Sequence, residues 1–392
     1  MRLKALVLAF SDLGRDPRVH RQIRFLTDRF DVLAAGYADP QIPGVEFLPV
    51  TRTRKSYPAR LRSAVQLLTG QYGRFYWEQP RVRSVLSALD GRSVDVVLAN
   101  DIETLPLALR LARGAAVVFD AHEYAPRQFE DRLLFRLFFQ GFATALCREY
   151  IPQVDGMMTV GEAIARQYER DTGVRAIVVT NAPDHEDLEP GPPDPAGRIR
   201  LVHHGGATPS RKIERMIQMM DYLDERFGLD LVLVGGPKWY RAKLARLARR
   251  NPRVQLVDPV PMLELSRFLN RYDMGVYLLE PVSFNTRYAL PNKLFEFIQA
   301  RLAVAIGPSP EMARVVTEYG VGVVAKDFSP EALAEKISAC GPDRIAEYKL
   351  RAHAAAPRLC AEANRERVLS LVDRAVSRRS RAGGGIERMR DS

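Results

Sequence analysis

EPGPPDPAGRIRLVHHGG, residues 189–206, sets two kinds of chain side by side. Its first ten residues hold four prolines, two glycines and three charged side chains, a composition that reads as a linker. RIRLVHHGG (198–206) then starts an apolar run of strand length. Toward the C-terminus the run recurs as LDLVLVGG, VQLVDPV, MGVYLL, LAVAIG and VGVVA, each followed by helical spacing. Toward the N-terminus an equivalent series is formed by LKALVLAF (3–10), VLAAGY, VEFLPV, VDVVLAN, AAVVFDAH and GMMTV, with a first helix from about Arg15. Nearly continuous apolar strands alternating with helices mark parallel sheets covered on both faces. The sequence therefore predicts two doubly wound α/β domains, 1–188 and 199–341, with ligands outside the carboxyl ends of the strands in the cleft between them. Residues 342–379 read as a helical segment and 380–392 as a frayed tail.

A chain of 392 residues is long enough for two cores, and an apolar fraction of 46% is that of a globular protein. Its three cysteines, Cys147, Cys340 and Cys360, are scattered without C-x-x-C spacing, which points to neither a disulfide framework nor a zinc site. No apolar run approaches the ~20 residues needed to span a bilayer, and the chain reads as cytoplasmic. The net charge of +11 is concentrated in TRTRKSYPARLR (51–62), RAKLARLARRNPR (241–253) and residues 374–390. Such windows attract phosphates of nucleotides, nucleic acid or anionic lipid, or are solvated faces. DRLLFRLFFQGFATALCREY (131–150), rich in Leu and Phe with interspersed arginines, reads either as a packed core helix or, with 51–62, as a face for an anionic membrane surface.

ALPNKLFEFIQA (289–300) reads as a helix with Pro291 at its first position. Leu290 has no side-chain oxygen to cap it, so the amides of Asn292, Lys293 and Leu294 lack partners, and the positive end of the dipole favours an anion there. Lys293 opposes that dipole unless a negative group lies between them, and a phosphate answers both. Glu296, between Phe295 and Phe297, is a carboxylate in an apolar helix. It is either an i,i+3 partner of Lys293 or a ligand group for two adjacent hydroxyls.

Taken in order, SDLGRDPRVHRQIRFL, FDAHEY, VVTNAPD, VHHGGATPSRKIERMI, LVLVGG and ALPNKLFEFIQARLAVAIGPSPE make the chain resemble the family-four glycosyltransferases of the GT-B fold. The resemblance implies transfer of a sugar from a nucleotide diphosphate-sugar to a hydroxyl acceptor, with retention of configuration and no protein nucleophile. It places Glu296 on the ribose hydroxyls, with Asn292 and Leu294 in the same helix start. Arg211 and Lys293 clamp the pyrophosphate, with Lys212 as a neighbour able to exchange roles with Arg211. Gly206 stands where many members carry arginine. Tyr288 stands where the family has the first glutamate of a pair, which leaves the usual carboxylate contact to the donor sugar open.

In the first domain the resemblance puts His122 toward the transferred sugar, although a strand-end histidine bound to backbone is the plain alternative. Asp101 and Glu123, also at strand ends, are acceptor or donor contacts. In SDLGRDPRV, Asp16 and Pro17 are explained as a helix cap and first residue, while Gly14 and Arg18 are implied contacts to acceptor or phosphate. No metal or other cofactor is expected: no D-x-D motif is placed for one, and Asp95 lies within a strand. The implied partners are the nucleotide-sugar and a hydroxyl acceptor; the stretch 131–150 with the basic window 51–62 adds, as a reading of the residues, an anionic membrane surface such as the inner face of the plasma membrane and a lipid-linked acceptor. The implied settings are cell-surface polysaccharide, glycolipid or natural-product glycosylation. The rivals are a nucleotide-sugar 2-epimerase on the same fold and a non-catalytic basic protein that binds nucleotide or nucleic acid; no nucleic-acid motif is present.

Overall fold

The computed structural model describes residues 2–52 and 56–388. Thr53, Arg54 and Lys55 of the first basic window, and the end of the tail at 389–392, lie outside the described residues. The chain divides into two compact units, one comprising Met1–Thr180, Ser283–Asn285 and Asn364–Ser392, the other Asn181–Val282 and Thr286–Ala363.

Unit 1 is built on seven parallel strands: β1 (Leu3–Leu8), β2 (Phe30–Gly36), β3 (Glu46–Pro49), β4 (Val96–Asn100), β5 (Ala116–Ala121), β6 (Gly156–Thr159) and β7 (Ile177–Val178). They run in the order β3-β2-β1-β4-β5-β6-β7. β4 and β5 are buried along their whole length, as strands covered by helices on both faces must be. Strand order reverses between β1 and β4, which opens a crevice at their carboxyl ends. The helix Pro17–Leu26 leaves the end of β1 with Asp16 as cap, accepting from the Val19 amide at 3.2 Å, and Pro17 in its first turn. Its inward stripe carries Val19, Ile23 and Leu26 and also two polar groups, Arg18 and Gln22, which point to the end of β5.

Unit 2 repeats the plan with six strands: β8 (Ile199–Gly206), β9 (Phe227–Val234), β10 (Val254–Val257), β11 (Met274–Tyr277), β12 (Ala303–Ile306) and β13 (Gly322–Val324), ordered β10-β9-β8-β11-β12-β13. Here the strand order reverses between β8 and β11. The helix Asn292–Gln299 covers that part of the sheet with Leu294, Phe295, Phe297 and Ile298 buried, each such side chain contributing about 1.5–3 kcal/mol. Phe297 rests directly on Gly275 of β11, where a Cβ would come within 2.3 Å of the ring.

The architecture is the predicted α/β pair, but three boundaries move. The division falls at Thr180, so the proline-rich stretch 189–198 belongs inside unit 2. The helix Pro342–Ala355 also belongs to unit 2, and the return to unit 1 begins only at Asn364. There the helix Ala361–Arg388 docks through Asn364 on Thr180 (3.0 Å), Arg365 on Asp28 (2.9 Å) and Arg379 on Asp155 (2.7 Å). That helix runs on past residue 380, to Arg388, where a frayed tail was expected. In the basic window 241–253, Arg241, Arg246, Arg249 and Arg250 are solvated, whereas Lys243 pairs with Glu214 at 2.6 Å and the Arg253 guanidinium donates to the carbonyls of Met220, Leu223 and Asp224.

Candidate active site

In unit 2 the end of β8 meets the start of the helix Asn292–Gln299. Pro291 is the N-cap residue (φ −75°, ψ 153°), not the first helical one, and it offers no side-chain cap. Its carbonyl accepts the Leu294 amide at 3.1 Å, so only the amides of Asn292 and Lys293 are left without a partner in the helix. Lys293 is buried, with its ammonium 4.1 Å from the centre of the Tyr277 ring and 3.5 Å from His203 Nε2. His203 Nδ1 donates to the Val276 carbonyl at 2.9 Å, which fixes the tautomer and turns the Nε2 lone pair toward Lys293.

Gly205, at φ +119°, lets backbone pass this group: a Cβ there would stand 3.3 Å from Lys293 Nζ and 3.6 Å from Arg211 Nη1. Arg211 reaches back to the Gly206 carbonyl at 3.4 Å. Two cations thus converge on the glycines that end β8. Burial, and then the charge of Arg211, hold the Lys293 amine well below its ordinary value, against the single opposing pull of Glu296 one turn on. Burial and Lys293 likewise keep His203 and His204 neutral. His204 Nε2 stands 3.3 Å from Glu296 Oε2, a contact between a carboxylate and a neutral imidazole and therefore not an ion pair; its alignment also falls short of a hydrogen bond.

Lys212 is removed from the exchange with Arg211, since its ammonium pairs with Glu280 at 2.5 Å, as does Arg215 at 3.2 Å. Glu296 retains 13% side-chain exposure, enough to meet a ligand. Tyr288 is half-buried in the turn before Pro291, with the Arg287 guanidinium 5.8 Å from its ring centre. His203, His204 and Tyr277 were not singled out from sequence; the adjacent histidines before a double glycine were the available signal.

In unit 1 the ends of β4 and β5 assemble Asn100, Asp101, Asp120 and His122. His122 Nε2 is 3.1 Å from Asn100 Oδ1 and 3.4 Å from Asp120 Oδ2, and Nδ1 is 3.5 Å from Asp101 Oδ2. Burial disfavours its charge, but Asp101 and Asp120 together outweigh that and raise it to about 9. At neutral pH His122 is an imidazolium, able to donate and to stabilise negative charge but not to act as a base. Asp101 is half exposed, yet desolvation by the crowded walls around it pushes its carboxyl up against the pull of His122, and it takes a left-handed backbone (φ +63°). Glu123 meets solvent, yet its crowded walls and Asp101 push it up to about 7.

Arg18 is not a free cation. Its Nε and Nη2 grip both oxygens of buried Asp120 at 2.6 Å each, and Nη1 donates to the Val179 carbonyl at 2.7 Å. The expected contact to acceptor or phosphate is thereby corrected to an internal clamp that ties the first helix to β5. Asp120 was missed because nothing in FDAHEY marks it; the signal was the cation on the apolar stripe of that helix. Gly14 is exposed and lies where a Cβ would come 3.2 Å from the Asp39 carbonyl.

Because the folded value of His122 lies above its ordinary one, its stabilising contribution is complete below pH ~6.5 and disappears as the pH rises through about 9. Urea titrations should show that loss in the wild type and not in His122→Gln; equal pH dependence of the two would contradict the imidazolium assignment.

Among the described residues no group of three or more His, Cys, Asp or Glu is arranged to hold a metal ion. Residues 198–341 match the model of the family described as glycosyl transferases, group 1, and the two parallel-sheet units with a C-terminal helix have the GT-B glycosyltransferase architecture. No curated protein matches the chain. Among solved structures it is similar to HepE of Anabaena in complex with UDP-glucose, at 16% identity and a TM-score of 0.68, over 95% of this chain and 99% of that one. It is similar to WaaG, a glycosyltransferase involved in lipopolysaccharide biosynthesis, at 15% identity and TM-score 0.63, over 93% and 99%. A trehalose-phosphate synthase (UDP-forming) from Burkholderia vietnamiensis aligns at 13% identity and TM-score 0.66, over 96% and 99%.

Proposed function

We propose that the protein is a retaining, family-four-like glycosyltransferase that moves a sugar from a UDP- or GDP-type donor to a hydroxyl acceptor. The observation that carries this reading is the convergence of buried Lys293 and half-buried Arg211 beside Gly205, at the amide-lined start of a helix, with Glu296 one turn further on. As the bond from sugar to diphosphate breaks, negative charge grows on the leaving phosphate. Cations and amides fixed in place beforehand stabilise it without reorganising, and one such donor is worth about 3–4 kcal/mol. Glu296 accepts hydrogen bonds from the two ribose hydroxyls. This supply of positive charge by protein groups makes the transfer independent of a metal ion, so chelation with EDTA is expected to leave turnover unchanged. Gly206 and Leu294 border the nucleotide, and Tyr288 takes a place on the sugar side. His122, Asp101 and Glu123 are the polar groups that unit 1 offers to the acceptor, and Gly14 offers exposed backbone in the loop after β1.

A thermal-shift series with UDP, GDP and their sugars tests this directly. A ligand at 100 times its dissociation constant should stabilise by about 2.7 kcal/mol. The shift should be absent in Glu296→Ala and Lys293→Ala; unchanged affinity and turnover in both would refute the site. Product analysis with donor alone separates transfer from 2-epimerisation, which needs no acceptor.

A further inference from the structure

We propose that unit 1 docks on an anionic bilayer and takes the hydrocarbon of a lipid-linked acceptor into a phenylalanine-lined pocket that opens on the docking face. This deepens the acceptor side of the proposed function and rests on that reading only for the identity of the acceptor. The helix Tyr57–Leu68 exposes Tyr57 (81%), Leu61 (60%), Val65 (49%) and Leu68 (61%). Their spacing of four, four and three residues is one stripe of a helix, the stripe that a globular protein normally turns inward. Gln66 and Leu67 are instead its buried residues.

This helix packs beside the π-helical turn Phe135–Phe139, whose surroundings expose Leu133 (59%), Leu134 (69%), Leu137 (55%), Phe129 (41%) and Phe139 (41%). The stretch 131–150 therefore divides: Phe142, Ala143, Leu146 and Cys147 pack in the core, while the part before residue 140 faces outward. Exposed arginines accompany the apolar side chains, Arg60 and Arg62 on one element and Arg132 and Arg136 on the other, and the helix 57–68 contains no acid. Apolar residues that enter the acyl boundary, with guanidinium groups at headgroup level, are the make-up of an interfacial surface, and the charge favours anionic lipid. No described helix is long and apolar enough to cross a membrane.

The pocket, of about 370 Å³, is walled by Phe129, Phe135, Phe139 and Phe142 and includes Asp101 and Glu123 in its lining. Phe129 and Phe139 belong both to its wall and to the exposed face, so the pocket and the surface are continuous. Rings suit a hydrocarbon, and carboxylates accept from a hydroxyl. The ligand chemistry is that of an amphiphile with a hydroxyl-bearing head.

The test is flotation of the full chain with vesicles of phosphatidylglycerol and phosphatidylcholine, or phosphatidylcholine alone, together with thermal shift by farnesol as a hydroxyl-ended hydrocarbon. Partition to the anionic vesicles should exceed that to neutral ones at least tenfold, fall with added salt, and drop at least tenfold in the exposed double variant Leu61→Glu, Leu137→Glu. Farnesol should raise the melting temperature of the wild type and not of Phe139→Glu. Each variant should keep the shift given by UDP, which shows that it is folded and that nucleotide binding is a separate matter. No flotation with anionic vesicles at low salt, or flotation equal in the double variant, would overturn the docking face. A farnesol shift that persists in Phe139→Glu would overturn the pocket. Loss of the UDP response in every form, with flotation intact, would count against the nucleotide reading alone.

Discussion

Replacing Lys293 by methionine is expected to cut turnover by about 10²- to 10³-fold while leaving the protein at least as stable as before. The two halves of that expectation have one cause. The ammonium is buried against Tyr277 and His203, beside Arg211, where its charged form is disfavoured. A neutral side chain of similar volume removes that desolvation cost, so the fold gains or is unaffected. The diphosphate, however, loses the charge that would meet it. Initial rates with saturating donor and a urea melt on the same variant check both halves; wild-type turnover in Lys293→Met would remove Lys293 from the mechanism.

The same depressed value carries a pH signature. Binding a diphosphate favours the charged amine, so complex formation takes up a proton. Affinity is highest on the acid side of the free amine's value and falls as the pH rises from there toward the value in the complex. Calorimetry of UDP binding in buffers with different ionisation enthalpies reads the proton directly, and no uptake at any pH would show that Lys293 does not meet the phosphate.

Arg18→Met is expected to cost about 3–5 kcal/mol of stability, a large fraction of the ~5–15 kcal/mol typical of a folded domain. Arg18 and Asp120 are 5% and 0% exposed, and removing the guanidinium strands the carboxylate in a site where only Gln22 and His122 remain to satisfy it. A companion Asp120→Asn variant, combined in a double-mutant cycle, separates the pair's coupling from the loss of packing. A loss below about 1 kcal/mol would mean that the clamp is not structural and would return Arg18 to the candidate ligand groups.

Strands were the most legible feature, because a strand buried on both faces must be apolar throughout and cannot hide. Only β7 escaped notice, having two residues and no room for a pattern. The helix 292–299 was legible for a related reason: proline, the missing cap and a lysine in the first turn are local facts. Arg18 was misread since its side chain belongs by sequence to a loop motif and by position to a buried stripe, and its partner lies 102 residues away. Tyr57, Leu61, Val65 and Leu68 were equally opaque, since an apolar stripe does not state which way it faces.

The amino-acid sequence by itself determined the alternation of strands and helices, the two parallel sheets, and the presence of a cation and a carboxylate one turn apart at an uncapped helix start. Those are consequences of periodicity and backbone chemistry within a few residues. Tertiary structure alone decided which charges are available. Lys212 is taken by Glu280, Arg18 by Asp120, while Arg211 and Lys293 are pressed together at Gly205. The physical reason is that the state of a charge depends on burial and on neighbours brought by the fold from distant sequence, and a local pattern contains neither.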